Sequence, residues 1–129
     1  MPLVYCLYRE TQNSGYDINQ QRLACHLFAS KHNWEISQEF FENKSSAIRM
    51  NFNTQDGLKR VHDDALFGEF DILLVFSTDC IGCRPSESPF VINYLLEQGV
   101  QVYSVQEGKQ QINTDIQRLT ILAHKLQLV

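Results

Sequence analysis

No stretch of this 129-residue chain approaches the roughly 18 consecutive apolar residues that a membrane-spanning helix requires. The opening MPLVYCLYRE also lacks the basic start and apolar run of a secretory signal, so the cytoplasm is the expected location. Four cysteines in a chain without an export signal do not read as a disulfide framework. Glycine-rich phosphate loops of the Walker or Rossmann type are absent. Basic residues are few: 11 Lys and Arg against 15 Asp and Glu leave a net charge of −4. Such a domain repels phosphate, so any nucleic-acid role calls for a local basic patch or a further domain. What remains, with 43% hydrophobic and 20% charged residues, is the composition of a globular protein, expected as one domain over residues 1–129.

Strand and helix signals alternate from end to end, without a linker or an internal repeat. Leu3–Tyr8 reads as a first strand. Asp17, with Gln20 three residues on, has the pattern of a capping box opening a helix whose apolar face is Leu23, Leu27 and Phe28, ending near Asn33. Trp34–Phe41 alternates apolar and polar residues and reads as a half-buried strand. Residues 42–53 are polar and irregular. Thr54 then caps a helix in which Leu58, Val61, Ala65 and Leu66 recur at helical spacing, closed by Gly68. Ile72-Leu73-Leu74-Val75-Phe76 is continuous and apolar, which suits a central parallel strand covered on both faces. A helix around Pro89–Glu97 stops at Gly99, Val100–Val105 gives a fourth strand, and Ile116, Leu119, Thr120, Ala123 and Leu126 mark a last helix from about residue 113. Repeated β-then-α units predict an α/β domain: a mostly parallel sheet of four to five strands flanked by helices. Right-handed crossovers place the strand C-termini on one edge, where ligands gather in open α/β sheets. The loops at that edge are Arg9–Tyr16, Glu42–Asn53, Ser77–Ser86 and Gln106–Asn113.

Those loops carry a series of motifs. Tyr8-Arg9-Glu10-Thr11 ends the first strand, and Gly15-Tyr16-Asp17-Ile18-Asn19-Gln20-Gln21 opens the first helix. Glu42-Asn43-Lys44-Ser45-Ser46 is followed by Gln55-Asp56-Gly57-Leu58, and Gly68-Glu69-Phe70-Asp71 leads into the apolar strand. Asp79-Cys80-Ile81-Gly82-Cys83 follows that strand, and Leu95-Leu96-Glu97-Gln98-Gly99-Val100-Gln101-Val102-Tyr103-Ser104-Val105 spans the next turn and strand. In this order and spacing, the series resembles the N-terminal catalytic domain of resolvase/invertase-type serine recombinases along essentially the whole chain. The family patterns are Y-x-R-V-S-T, G-Y-S-I-x-x-Q, D-x-x-x-S-G, R-x-G-L, G-x-F-D, D-R-x-x-R and L-x-x-x-G-V-x-V-x-S-V.

The resemblance implies a three-layer resolvase-like fold and site-specific DNA recombination. In that chemistry a serine hydroxyl attacks a DNA phosphate, remains attached as a phosphoester, and is displaced by a second strand. Arginines suit the charged transition state because a permanently charged fork binds phosphate bidentately. Transferred position by position, Arg9 and Asp79 keep their family identities, and the nucleophile position holds Thr11, with Ser14 a neighbouring hydroxyl. Three arginine positions are replaced, by Gln55, Cys80 and Cys83, while Arg84 is a candidate phosphate contact. Catalysis in this copy is therefore expected to be impaired. The implied partner is duplex DNA, held mainly by regions beyond residue 129, with a homodimer or tetramer as the working assembly, no membrane, no cofactor and no metal.

Two other functions stay open on the residues alone. A degenerate resolvase fold could serve dimerisation or regulation without catalysis, since the substitutions fall on the phosphate site and spare the core pattern. Alternatively, Cys80-Ile81-Gly82-Cys83 is a C-x-x-C and could act in thiol redox or metal chemistry. No second ligand pair accompanies it at zinc-site spacing; Cys6 and Cys25 read instead as buried small hydrophobes. A magnesium-binding receiver domain would need paired acids after the first strand, where Arg9-Glu10-Thr11 supplies one.

Overall fold

Parallel pairing around the first strand organises the computed structural model, which describes residues 2–10, 17–42, 56–81 and 87–125. Among these residues the elements are β1 (Val4–Arg9), α1 (Ile18–Lys31), β2 (Ile36–Glu42), α2 (Asp56–Leu66), β3 (Ile72–Val75), α3 (Ser88–Glu97), β4 (Gln101–Ser104), β5 (Gly108–Lys109) and α4 (Thr114–Lys125). A single 3₁₀ turn, Thr78–Cys80, follows β3. The sheet order is β2-β1-β3-β4-β5. β1 pairs in parallel with β2 and β3, and β3 with β4, while β5 returns antiparallel to β4. The expected α/β architecture of four to five mostly parallel strands flanked by helices is what forms. β5 is a two-residue addition that its sequence does not announce; Gly108, at φ +88°, provides its left-handed turn.

Successive residues of β1 face opposite layers. Tyr8 reaches α1's side, where its hydroxyl donates to Glu39 Oε2 at 2.7 Å, a carboxylate that also accepts from Arg22 of α1. Tyr5 reaches α2, where its hydroxyl donates to Asp64 Oδ2 at 2.7 Å. The core between the layers is formed by β1, the fully covered run Leu73–Val75 of β3, Leu58, Val61 and Ala65 of α2, and Leu95 of α3.

Helix α1 begins as its sequence predicts. Asp17 Oδ1 accepts from the Gln20 N–H at 2.7 Å, and Gln20 Oε1 accepts from the Asp17 N–H at 2.9 Å. Its expected apolar face is corrected: Leu23 and Leu27 are 64% and 56% exposed, and the row against the sheet is Gln21, Cys25 and Ala29. Small Cys25 and Ala29 let the helix lie close to the strands, and Gln21 is drawn inward by backbone partners described below. Phe28 sits on the flank, stacked on His32 at 4.4 Å. In α2, Leu66 is likewise exposed rather than packed with Leu58, Val61 and Ala65. Thr54, the expected cap of that helix, lies outside the described residues.

At the root of α4 two asparagines clasp each other. Asn93 Nδ2 donates to the Asn113 carbonyl at 2.9 Å, and the Asn113 N–H donates to Asn93 Oδ1 at 3.0 Å. The Asn113 side chain then caps the helix, accepting from the Asp115 and Ile116 N–H groups. Ile116 is half-buried, whereas Leu119 of the expected apolar face, together with Ile112, Ile121 and Leu122, is exposed.

Candidate active site

The sheet changes direction at β1: the chain passes to β2 on one side and returns to β3 on the other. In open α/β sheets a crevice forms outside the strand C-termini at such a point. Arg9, the last residue of β1, occupies it. Its backbone is fixed by the buried Gln21 amide, which donates from Nε2 to the Arg9 carbonyl at 2.7 Å and accepts from the Arg9 N–H at 3.2 Å. A polar residue in the buried row of α1 thus stands in for a strand partner.

The Arg9 guanidinium projects to the α2 side. Its Nη2 donates to Glu42 Oε2 at 2.6 Å, and the two side chains are 2% and 6% exposed. The other carboxylate oxygen, Glu42 Oε1, accepts from the Leu58 N–H at 2.9 Å in the first turn of α2. One carboxylate therefore neutralises the arginine and satisfies a helix N-terminus. Gly57 makes this approach possible, since a Cβ there would fall 2.9 Å from Glu42 Oε1 and 3.2 Å from Phe40 Cβ. Two guanidinium nitrogens of Arg9, Nε and Nη1, are buried without a hydrogen-bond partner among the described residues. Unsatisfied donors on a buried cation are uncommon, and a charged N–H is a strong donor to an oxyanion.

The 3₁₀ turn after β3 supplies the third wall. The Cys80 N–H donates to the Ser77 carbonyl at 3.0 Å and the Ile81 N–H to the Thr78 carbonyl at 3.1 Å. Asp79 is exposed on this turn, while Cys80 is fully buried. Cys80 Sγ lies 3.6 Å from Gln21 Oε1, 3.8 Å from the Arg9 carbonyl and 3.7 Å from Ser77 Oγ. Burial pushes the Cys80 thiol up, opposite to the shift that makes a cysteine reactive. Beyond the turn, Ser88 Oγ at the start of α3 donates to the Ile81 carbonyl.

Glu107, from the β4–β5 turn, reaches across the same edge. It accepts from the Thr78 hydroxyl at 2.6 Å and the Thr78 N–H at 3.1 Å through Oε2, and from the Ser104 hydroxyl at 2.6 Å through Oε1. Burial alone would raise its pKa; the hydrogen bonds from Ser104 and Thr78 outweigh it and hold the carboxyl below its usual range. A second polar cluster sits on the α1 side, where Glu39 accepts from Tyr8, Arg22 and His26. There too burial opposes ionisation, and these donors prevail, holding Glu39 at about 2.

Of the residues singled out from the sequence, Arg9, Asp79 and Cys80 come together at one edge. Thr11, Gln55, Cys83 and Arg84, with the neighbouring Ser14, lie outside the described residues. Gln21, Glu42, Gly57 and Glu107 belong to the same edge and had no role assigned from sequence. Gln21, Glu42 and Gly57 do stand within the motif stretches; Glu107 stands in none of them.

Among the described residues no helix is long and apolar enough to cross a membrane. The chain matches the family described as "Resolvase, N terminal domain" over residues 8–127. No curated protein matches it. Among solved structures it is similar to the N-terminal catalytic domain of TP901-1 integrase, with a TM-score of 0.68 and 16% identity over 97% of this chain and 94% of that one. It is also similar to a resolvase family site-specific recombinase from Streptococcus pneumoniae, with a TM-score of 0.69 and 19% identity over 98% and 89% of the two chains. The C-terminal catalytic domain of ISC1926 TnpA, an IS607-like serine recombinase, superposes with a TM-score of 0.63 at 12% identity, over 93% of this chain and 78% of that one. These likenesses carry the fold, and the family match covers nearly every residue: the chain belongs to the resolvase family, as its N-terminal domain.

Proposed function

We propose that this domain exchanges DNA strands at a specific site, with Arg9 as the phosphate-binding cation and Thr11 as the nucleophile. The Thr11 hydroxyl oxygen bonds to phosphorus as the phosphorus–oxygen bond to one deoxyribose breaks, and the departing oxygen takes a proton. A hydroxyl of the incoming strand then reverses the exchange, so the phosphodiester count is conserved. The observation that supports this most directly is Arg9, a buried guanidinium with Nε and Nη1 unpartnered among the described residues. Glu42 takes Nη2 alone, so among the described residues Nε and Nη1 each keep an N–H to offer a phosphate oxygen. Because Arg9 is enclosed, engaging a phosphate is coupled to a local opening of the edge. Asp79, Gln55, Cys83 and Arg84 complete the proposed site, with a weaker charge clamp than a set of four arginines would give.

Duplex DNA is the proposed substrate, and the exposed Ile112, Leu119, Ile121 and Leu122 suit burial in a homodimer or tetramer. The cytoplasm is the proposed site of action. One observation favours a second, non-catalytic reading as a dimerisation or regulatory module: Cys80 is folded into the core where the family pattern has an arginine.

The deciding experiment incubates the full-length protein with a supercoiled plasmid carrying its cognate sites and traps covalent protein–DNA adducts. Adducts through residue 11, increased by Thr11→Ser and reduced about 10²- to 10³-fold by Arg9→Ala, are expected. Complete absence of adducts from wild type and Thr11→Ser would overturn catalysis and leave the non-catalytic module.

A further inference from the structure

We infer that Glu107 is a positioning residue, which anchors the turn carrying Asp79 and Cys80 against the Arg9 end of β1. The inference rests on the recombinase reading for its catalytic half.

The turn Thr78–Cys80 is one 3₁₀ turn long and begins at Ser77, whose side chain makes no capping hydrogen bond. Its leading N–H, on Thr78, would be an orphan donor. Glu107 meets that N–H and the Thr78 hydroxyl with one carboxylate oxygen, from 29 residues away in sequence. Its own conformation is fixed from two sides: the Ser104 hydroxyl donates to Oε1 at 2.6 Å, and the Glu107 N–H donates to Ser104 Oγ at 3.1 Å. Ser104 is the last residue of β4, so the anchor is tied to the sheet rather than to a free loop. The backbone repeats the link, with the Val105 and Gln106 N–H groups donating to the carbonyls of Val75 and Phe76.

On its other side, the turn presses Cys80 onto the Arg9 carbonyl and the Gln21 amide. Glu107 is thereby connected to Arg9 through two contacts, without touching the site's arginine itself. Loss of the carboxylate would free Thr78, let the turn lift, and withdraw both Asp79 and the wall behind Arg9. Glutamine at 107 keeps a carbonyl oxygen for Thr78, so it is the conservative rescue.

The test has two readings on the full-length protein. In the first, Glu107→Ala lowers the rate of covalent adduct formation about tenfold with DNA affinity unchanged, and Glu107→Gln restores most of it. In the second, which needs no DNA, alkylation of Cys80 by iodoacetamide is resolved from Cys83 by fragment mass. Glu107→Ala raises it about tenfold while Cys6 and Cys25 stay protected, and Glu107→Gln stays near wild type. Unchanged Cys80 protection in Glu107→Ala would overturn the anchoring role whatever the catalytic result. Absence of adducts from both wild type and Thr11→Ser would overturn the recombinase reading, and the thiol measurement would still decide the anchor. Should Glu107→Ala expose Cys6 and Cys25 too, Thr78→Val, which removes only the hydroxyl half of the contact, decides by the same two readings.

Discussion

Arg9 and Glu42 end neighbouring parallel strands in register and join through a 2.6 Å ion pair that is almost sealed from water. Removing one partner of a buried pair leaves the other charge uncompensated, a loss of about 3–5 kcal/mol. Glu42→Ala is therefore expected to lower stability by that amount, and more than Arg9→Met, whose apolar chain fills the site. Urea unfolding of the three proteins checks the order; a Glu42→Ala loss no larger than that of an exposed substitution would show that the pair is not the source.

Gly57 is expected to resist even the smallest substitution. The added methyl of Gly57→Ala would meet Glu42 Oε1 and Phe40 Cβ, so the carboxylate has to move away from the Leu58 N–H. A loss of about 1–3 kcal/mol is expected, although alanine is ordinarily the better helix former by about 1 kcal/mol. A stabilised variant in thermal unfolding would contradict the geometry.

Acid unfolding should report Glu39. Its carboxyl is depressed to about 2, so the stability it contributes is complete above its ordinary pKa near 4.5 and is lost as pH falls from there toward 2. Because the cluster is partly open to solvent, the contribution is on the order of 1 kcal/mol. Glu39→Gln is expected to flatten the stability–pH curve over that window and to leave its shape above pH 5 unaltered.

Restoring an arginine at position 80 is expected to damage the fold. Cys80 is enclosed by Arg9, Gln21 and Ser77, and a guanidinium there would be both oversized and uncompensated beside Arg9. Cys80→Arg should lose at least about 3 kcal/mol, against roughly 1 for Cys80→Ala. Calorimetry of the two variants distinguishes this from an arginine that swings outward harmlessly.

The outer face of α1 gives the opposite expectation. Leu23→Gln and Leu27→Gln should stay within about 0.5 kcal/mol of wild type, as exposed substitutions do. Gln21→Leu, which looks like an improvement of the core, should cost about 1–3 kcal/mol because the Arg9 N–H and carbonyl lose their partner. Denaturant midpoints for the three variants suffice.

That reversal marks the boundary of what the amino-acid order reveals. The run Ile72–Phe76 and the capping box at Asp17 are local signals, and both elements form where those signals lie. The burial of Gln21 in α1 is not local: it depends on two backbone groups at the end of β1. Likewise Arg9 and Asp79 are legible through motifs, whereas Glu107 earns its place through Thr78, a partner that only the strand order brings near. The two residues of β5 are too few to carry any alternation.

The clasp between Asn93 and Asn113 has a mechanical consequence. Twelve helical residues make α4 a rod about 18 Å long, held at its root by two reciprocal hydrogen bonds between the Asn93 side chain and the Asn113 backbone. A tilt of about 10° at the clasp sweeps the far end through roughly 3 Å, close to the width of a hydrogen bond, by the same rise per residue. Small adjustments in α3 are thereby magnified at the tip of α4, and the single Asn93 amide sets the gain of that lever.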